Sequence, residues 1–215
     1  MSLSSSVKIH SRILDSAEEC FALHGYEAAS LRQITRNAGV NLAAAHYHLG
    51  NKQTLYALVF SRRLRPLNEA RLAELEKAEA ATPNRLVPLA QVLEIMARPL
   101  FELCHGNHGG RHFIRVLGRS LSEPAPFKDA LLAREFQPAM TRLGQALRRH
   151  VPALSPEDFL WRLSFVMGAM HHTLATLHQM SELTRGICRN DDHESALRRF
   201  LEFATVTFQA SPPAE

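Results

Sequence analysis

From Val7 to Phe208 the apolar residues recur at intervals of three and four, and no segment alternates convincingly with period two. A helix turns once in about 3.6 residues, so such spacing lays an apolar stripe along one face of each segment. A half-buried strand would need alternation instead, so a sheet is not expected. The chain is read as all-α. Its 215 residues, 46% of them hydrophobic, suffice for one sizeable core and a small satellite domain.

Helix stops divide the chain unevenly. Val7 to His24 places Ile13, Leu14, Ala17, Cys20 and Phe21 on one face, and Gly25 follows where a left-handed end is wanted. Ser30 is placed to cap a second, short helix in which Leu31, Ile34 and Ala38 share a face. Gly39 breaks it, and Asn41 can cap a third segment, Leu42 to Leu49, stopped by Gly50 and Asn51. From Lys52 a long helix turns Leu55, Leu58, Val59 and Leu64 inward, with Pro66 expected to kink it. Further helices are expected near 85–104, 110–121, 126–150, 156–181 and 193–209.

Two short helices joined by a four-residue turn with a glycine have the lengths of a helix-turn-helix, whose second helix enters the major groove. The charge agrees. Residues 1–65 hold eight basic side chains against four acidic ones, while the remainder of the +4 chain is neutral. A basic head on a neutral body suggests a polyanion partner at one end only. Cys20, Cys104 and Cys188 form no CxxC pair and fit a reducing compartment. The first ten residues lack the apolar core of a signal peptide, and no run approaches a membrane span, so a cytoplasmic protein is expected. Nucleophile-elbow, phosphate-loop and dinucleotide-binding motifs are absent, so no enzyme and no cofactor are expected. His105, His108 and His112, and separately His171, His172 and His178, lack an HExxH frame, and no metal is assigned to them.

The residues themselves are more specific than the spacing. Arg12-Ile13-Leu14-Asp15, Phe21, Gly25-Tyr26, Ser30-Leu31-Arg32-Gln33-Ile34, Ala38-Gly39-Val40-Asn41, Tyr47-His48-Leu49-Gly50-Asn51-Lys52 and Leu55 closely resemble the DNA-binding domain of the TetR family over the first 60 residues. The resemblance implies a sequence-specific transcription regulator, a ligand-released repressor, with its DNA-binding domain at 1–51 and a helical effector-binding and dimerisation domain at 52–211. Ser30 at one helix N-terminus and Lys52 at another suit phosphate, and Arg32 can reach a base edge. Tyr47 and His48 are implied to touch backbone phosphates. His46 and Leu49 depart from the family pattern, in which aromatic residues are common. Asn41, Leu42 and Ala43 begin the expected reading helix, and the run Leu42 to Ala45 offers thymine methyls only apolar contact.

The resemblance further implies a homodimer through the helices near 156–181 and 193–209, matching a palindromic operator. Asn41 to Ala44, Arg63 to Asn68, Gly109-Gly110-Arg111 and Trp161-Arg162 resemble a branch answering to long-chain fatty acids or acyl-CoA. That implies a small apolar effector in a tunnel lined by Phe101, Phe113, Leu117, Met140, Phe165 and Met170. Arg111, Arg115 or Arg119 would meet an acidic head group, and His171 would supply a polar wall. Ordinary core packing and solvated arginine is the competing reading of each of these side chains.

Overall fold

The computed structural model describes residues 3–41, 50–106, 108–120, 128–189 and 192–211. Among them all regular structure is helical: α1 (Leu3–Ala28), α2 (Leu31–Asn37), α3 (Lys52–Ala81), α4 (Leu89–His105), α5 (His108–Ser120), α6 (Lys128–Arg148), α7 (Pro156–Thr176), a 3-10 turn (Leu177–Gln179), α8 (Met180–Leu183) and α9 (His193–Gln209). The segment 42–49, expected as the reading helix, lies outside the described residues. None of the described helices is long and apolar enough to cross a membrane.

Most ends follow from local chemistry. Ser30 caps α2 by accepting from the Gln33 amide at 3.2 Å, and Ser155 caps α7 ahead of Pro156. Asp192 accepts from the Ser195 amide at 2.8 Å to start α9. The far end of α9 is closed differently. Arg162 donates to the carbonyls of Thr207 and Ala210 at 2.8 and 2.7 Å, satisfying acceptors that a helix end leaves open. Helix α3 runs through the exposed Pro66 without a break in its helical structure.

The chain forms two compact units, residues 1–66 with 106–136 and residues 67–105 with 137–215. In the first, α5 packs against α1, and Phe113 meets Phe60 edge-on with ring centroids 5.5 Å apart. Phe60, Tyr56, Phe21 and Tyr26 continue that aromatic core. In the second unit α4 lies against α9 and α7, with Phe101 beside Phe200 and Phe159 beside Phe208.

One ionic knot ties the first unit. Glu18, on the apolar face of α1 and only 1% exposed, accepts from Arg62 at 2.6 Å and from two nitrogens of Arg63 at 2.9 and 2.7 Å. Asp15 takes a second Arg62 nitrogen at 2.6 Å. Glu135 of α6 plays a similar part for Ser61 and Arg65, at 2.7 and 3.3 Å. Burial raises the Glu135 pKa, but these bonds and one from Arg134 outweigh it and leave the carboxyl below its ordinary value. Removing one partner from a buried pair leaves an uncompensated charge. Glu18→Ala should therefore cost about 3–5 kcal/mol in denaturant unfolding. A cost below about 1 kcal/mol, typical of exposed pairs, would show that the knot does not hold the unit.

Candidate nucleic-acid interface

The helix-turn-helix frame depends on how α2 is seated against α1. Ile34 and Thr35 of α2 are buried, and Ser16 of α1 donates to the Ile34 carbonyl at 2.8 Å. Arg12 reaches from the same helix to the Ala38 carbonyl, capping α2 at its C-terminus, where a cation is electrostatically favoured. The turn then reverses at Gly39, whose φ is +61°. L residues carrying a Cβ are strained in that conformation, which is why glycine stands there. Gly25, φ +77°, performs the corresponding break near the end of α1 and leaves Tyr26 beside the start of α3.

Lys52 opens α3. Its ammonium donates to the Glu27 carbonyl at 2.9 Å and lies 4.5 Å from the centre of the Tyr26 ring. An ammonium carries three N–H donors, so this anchoring positions the charge and leaves donors for a phosphate. Asn51 caps the helix beside it, accepting from the Thr54 amide at 2.8 Å. Ser30 is exposed, and its oxygen already accepts from Gln33, leaving the hydroxyl proton to donate outward. Arg32 is exposed, and its guanidinium has no partner among the described residues. Asn41 is exposed as well. Leu42, Ala43, His46, Tyr47 and His48 lie outside the described residues.

The positive charge of the head divides into two kinds. Arg62, Arg63 and Arg65 are paired internally with carboxylates. Lys8, Arg32 and Arg36 are exposed, and Lys52 sits at a helix start; of these, Arg32 and Lys52 are the candidates named from the sequence. Arg12, Glu18 and Tyr26 set the frame, and sequence reasoning does not single them out as site residues. An acid at position 18 on the same stripe as Leu14 and Phe21 is the available signal for Glu18.

The residues expected to line an effector tunnel are distributed over both units. Phe113 and Leu117 are buried in the first, where Arg115 is exposed. Phe101 and Met170 are buried in the second, with Met140 and His171 half-buried there. Phe165 is 59% exposed. His105 stacks on His193 with ring centroids 4.1 Å apart, and among the described residues no group of three His, Cys, Asp or Glu is placed to hold a metal ion.

Gly39→Ala tests the turn. A Cβ there would come within 2.7 Å of Arg12 Nη2, the movable end of a long side chain, so backbone strain dominates. A loss of about 1–2 kcal/mol in chemical unfolding is expected, and an unchanged midpoint would contradict the assigned turn.

Comparison with known proteins agrees with this frame. Residues 13–59 match the family described as "Bacterial regulatory proteins, tetR family", and residues 94–205 match "Tetracyclin repressor-like, C-terminal domain". The HTH-type transcriptional repressor AcnR of Corynebacterium efficiens is 32% identical over 93 residues, 41% of this chain and 50% of that protein. The chain thus spans about half the length of the curated relatives it matches. The TetR family regulator PfmR from Thermus thermophilus superposes with a TM-score of 0.64 at 19% identity, over 95% of this chain and 98% of that one. FadR from Bacillus subtilis, solved in complex with stearoyl-CoA, gives a TM-score of 0.61 at 17% identity, over 89% and 97% of the two chains. At such identities the structures speak for the fold, and the two sequence profiles, one covering half the chain, speak for the family: this chain is a TetR-family transcription regulator.

Proposed function

We propose that the protein is a non-enzymatic, cytoplasmic, ligand-released repressor that grips a palindromic operator as a homodimer. The observation that carries the DNA-binding part is the seated turn itself: α2 capped by Ser30, reversed at Gly39, and followed by α3 with Lys52 anchored over Tyr26. In this reading residues 1–51 are the DNA-binding domain and residues 52–211 the effector and dimerisation domain. Ser30, Tyr47, His48 and Lys52 hold phosphates. Arg32 and Asn41 reach base edges, and Leu42, Ala43 and His46 shape the reading surface.

Dimerisation is supported by an apolar face that a lone chain would leave in water. Leu160, Trp161 and Phe165 of α7 are 62, 56 and 59% exposed, and Phe203 and Val206 of α9 are 48 and 67% exposed. Trp161 and Phe165 stack with centroids 5.7 Å apart, and Gly168 continues the same face one turn on. Contiguous exposed aromatic surface marks an interface. Phe165 is accordingly assigned to the dimer face. Phe101, Met140, Met170 and His171 remain as the lining for a small apolar effector, for which a long-chain acyl compound is the candidate. The acyl-CoA ligand of the Bacillus subtilis neighbour favours that class.

Two measurements test the reading. In a gel-shift assay with DNA flanking the protein's own coding region, the wild type should give a band that survives excess random DNA, and Tyr47→Ala or Lys52→Ala should weaken it. No sequence-selective band at any salt concentration would sink the operator assignment. Trp161→Asp should convert the dimer to monomer by light scattering while leaving helical content intact. A variant that remains dimeric would move the interface elsewhere.

A further inference from the structure

The core of the second unit contains a charge that has no counter-ion among the described residues. Arg71 of α3 is 1% exposed, among the largest fully buried side chains of the protein. One terminal nitrogen donates to Asn68 Oδ1 at 3.0 Å and the other to the Met96 carbonyl. Its Nε is buried and has no partner, and among the described residues no carboxylate pairs with it. Burial alone pulls its pKa down to about 9, which still leaves it protonated at neutral pH. The buried carboxylates Glu18 and Glu135, by contrast, are each held by two guanidiniums.

A second unpaired atom lies in the same unit. His171 of α7 is half-buried as a residue, yet its Nε2 is inaccessible and has no hydrogen-bond partner. Burial first, and then the charge of Arg71, lower its pKa. Both sit among aliphatic residues in sequence: buried Leu67 and Leu75 flank Arg71 one turn either way, and buried Met170 precedes His171.

A buried ion without an opposite charge costs several kcal/mol, and an apolar side chain of similar volume is the usual equal or better choice for stability alone. Each buried unpaired donor adds to that cost. Both costs vanish if an anion is supplied from outside. A guanidinium offers its Nε and terminal N–H groups as a fork that matches an oxyanion, and the tautomer of a neutral imidazole follows whatever partner Nε2 meets.

We propose that Arg71 and His171 form the binding site for the oxyanion head, carboxylate or phosphate, of a small organic ligand whose apolar remainder lies among the aliphatic side chains of the second unit. The inference rests on the reading of that unit as the effector domain, and deepens it by naming the ligand's charge. It also moves the head group away from Arg111, Arg115 and Arg119, which lie on α5 of the first unit. Because α3 carries Arg71 and begins at Lys52, the anion engages the helix whose first residue belongs to the proposed DNA contact.

The test uses the full-length protein and four probes, decanoate, decyl phosphate, 1-decanol and inorganic phosphate, with binding measured by calorimetry and thermal shift. The wild type should bind one of the two anionic amphiphiles about thirtyfold or more tightly than decanol, the discrimination typical of a buried charge pair. Arg71→Met should collapse that ratio toward one while decanol affinity is kept. His171→Phe should lower it without abolishing it, and serves as the readout if Arg71→Met fails to fold. Whichever amphiphile binds more tightly distinguishes carboxylate from phosphate. Equal wild-type affinity for decanol and both anions overturns the proposal but leaves an apolar effector site standing. A ratio unchanged in the variants, or inorganic phosphate binding as tightly as decyl phosphate, overturns it as well. No binding of any probe overturns it and removes the support for an acyl-type effector.

Discussion

The first unit depends on the carboxylate of Glu18. It is buried on the stripe by which α1 packs, and only the paired guanidiniums of Arg62 and Arg63 make that position tolerable. Those arginines lie 44 and 45 residues further along the chain, so the knot is a long-range constraint. A second link joins the same helices, from Lys52 to the Glu27 carbonyl. The two links run in opposite order along the chain, which sets the start of α3 antiparallel to α1 within this unit. Salt bridges between exposed groups would not do this, because solvent screens them and side-chain entropy opposes them.

The arrangement also recasts the charge of the head. The excess of bases over acids in residues 1–65 suggests a polyanion partner, yet three of the bases are committed to internal carboxylates. Lys8, Arg32 and Arg36 are exposed, and Lys52 is held over an aromatic ring, so the charge open to a polyanion is smaller than the count of bases. Net charge reports solubility and steering, while pairing decides which charges can meet a phosphate.

The second unit manages its charges in a contrasting way. On its surface they are paired conventionally. Arg98 bridges Glu94 and Glu194 at 2.7 Å each, and Glu79 accepts from Arg142 and Arg149 at 2.8 Å. In its interior, Arg71 donates to neutral acceptors, and no carboxylate among the described residues pairs with it. Folding stability alone does not account for that difference, because a buried cation is expensive where a methionine is not.

Much of the fold was legible in the sequence. The 3.6-residue period sets the helical class, and Ser30 and Gly39 mark ends that the structure keeps, because caps and positive-φ turns are decided by neighbours within a few residues. The expected helices at 110–121 and 126–150 match α5 and α6 to within a few residues. Side-chain partners were not legible. Phe165, Met170 and Phe113 all read as apolar positions on amphipathic helices, yet one is exposed and the other two are buried in different units. Arg71 sits four residues from both Leu67 and Leu75, a cation on an apolar stripe, but spacing cannot say whether a carboxylate awaits it across the core. Sequence alone determined the helices, their caps and the family resemblance, because these rest on local geometry and ordered motifs. Tertiary structure decided which arginines are paired and that Arg71 meets no counter-ion among the described residues, because pairing depends on what the fold brings within hydrogen-bond reach from far along the chain.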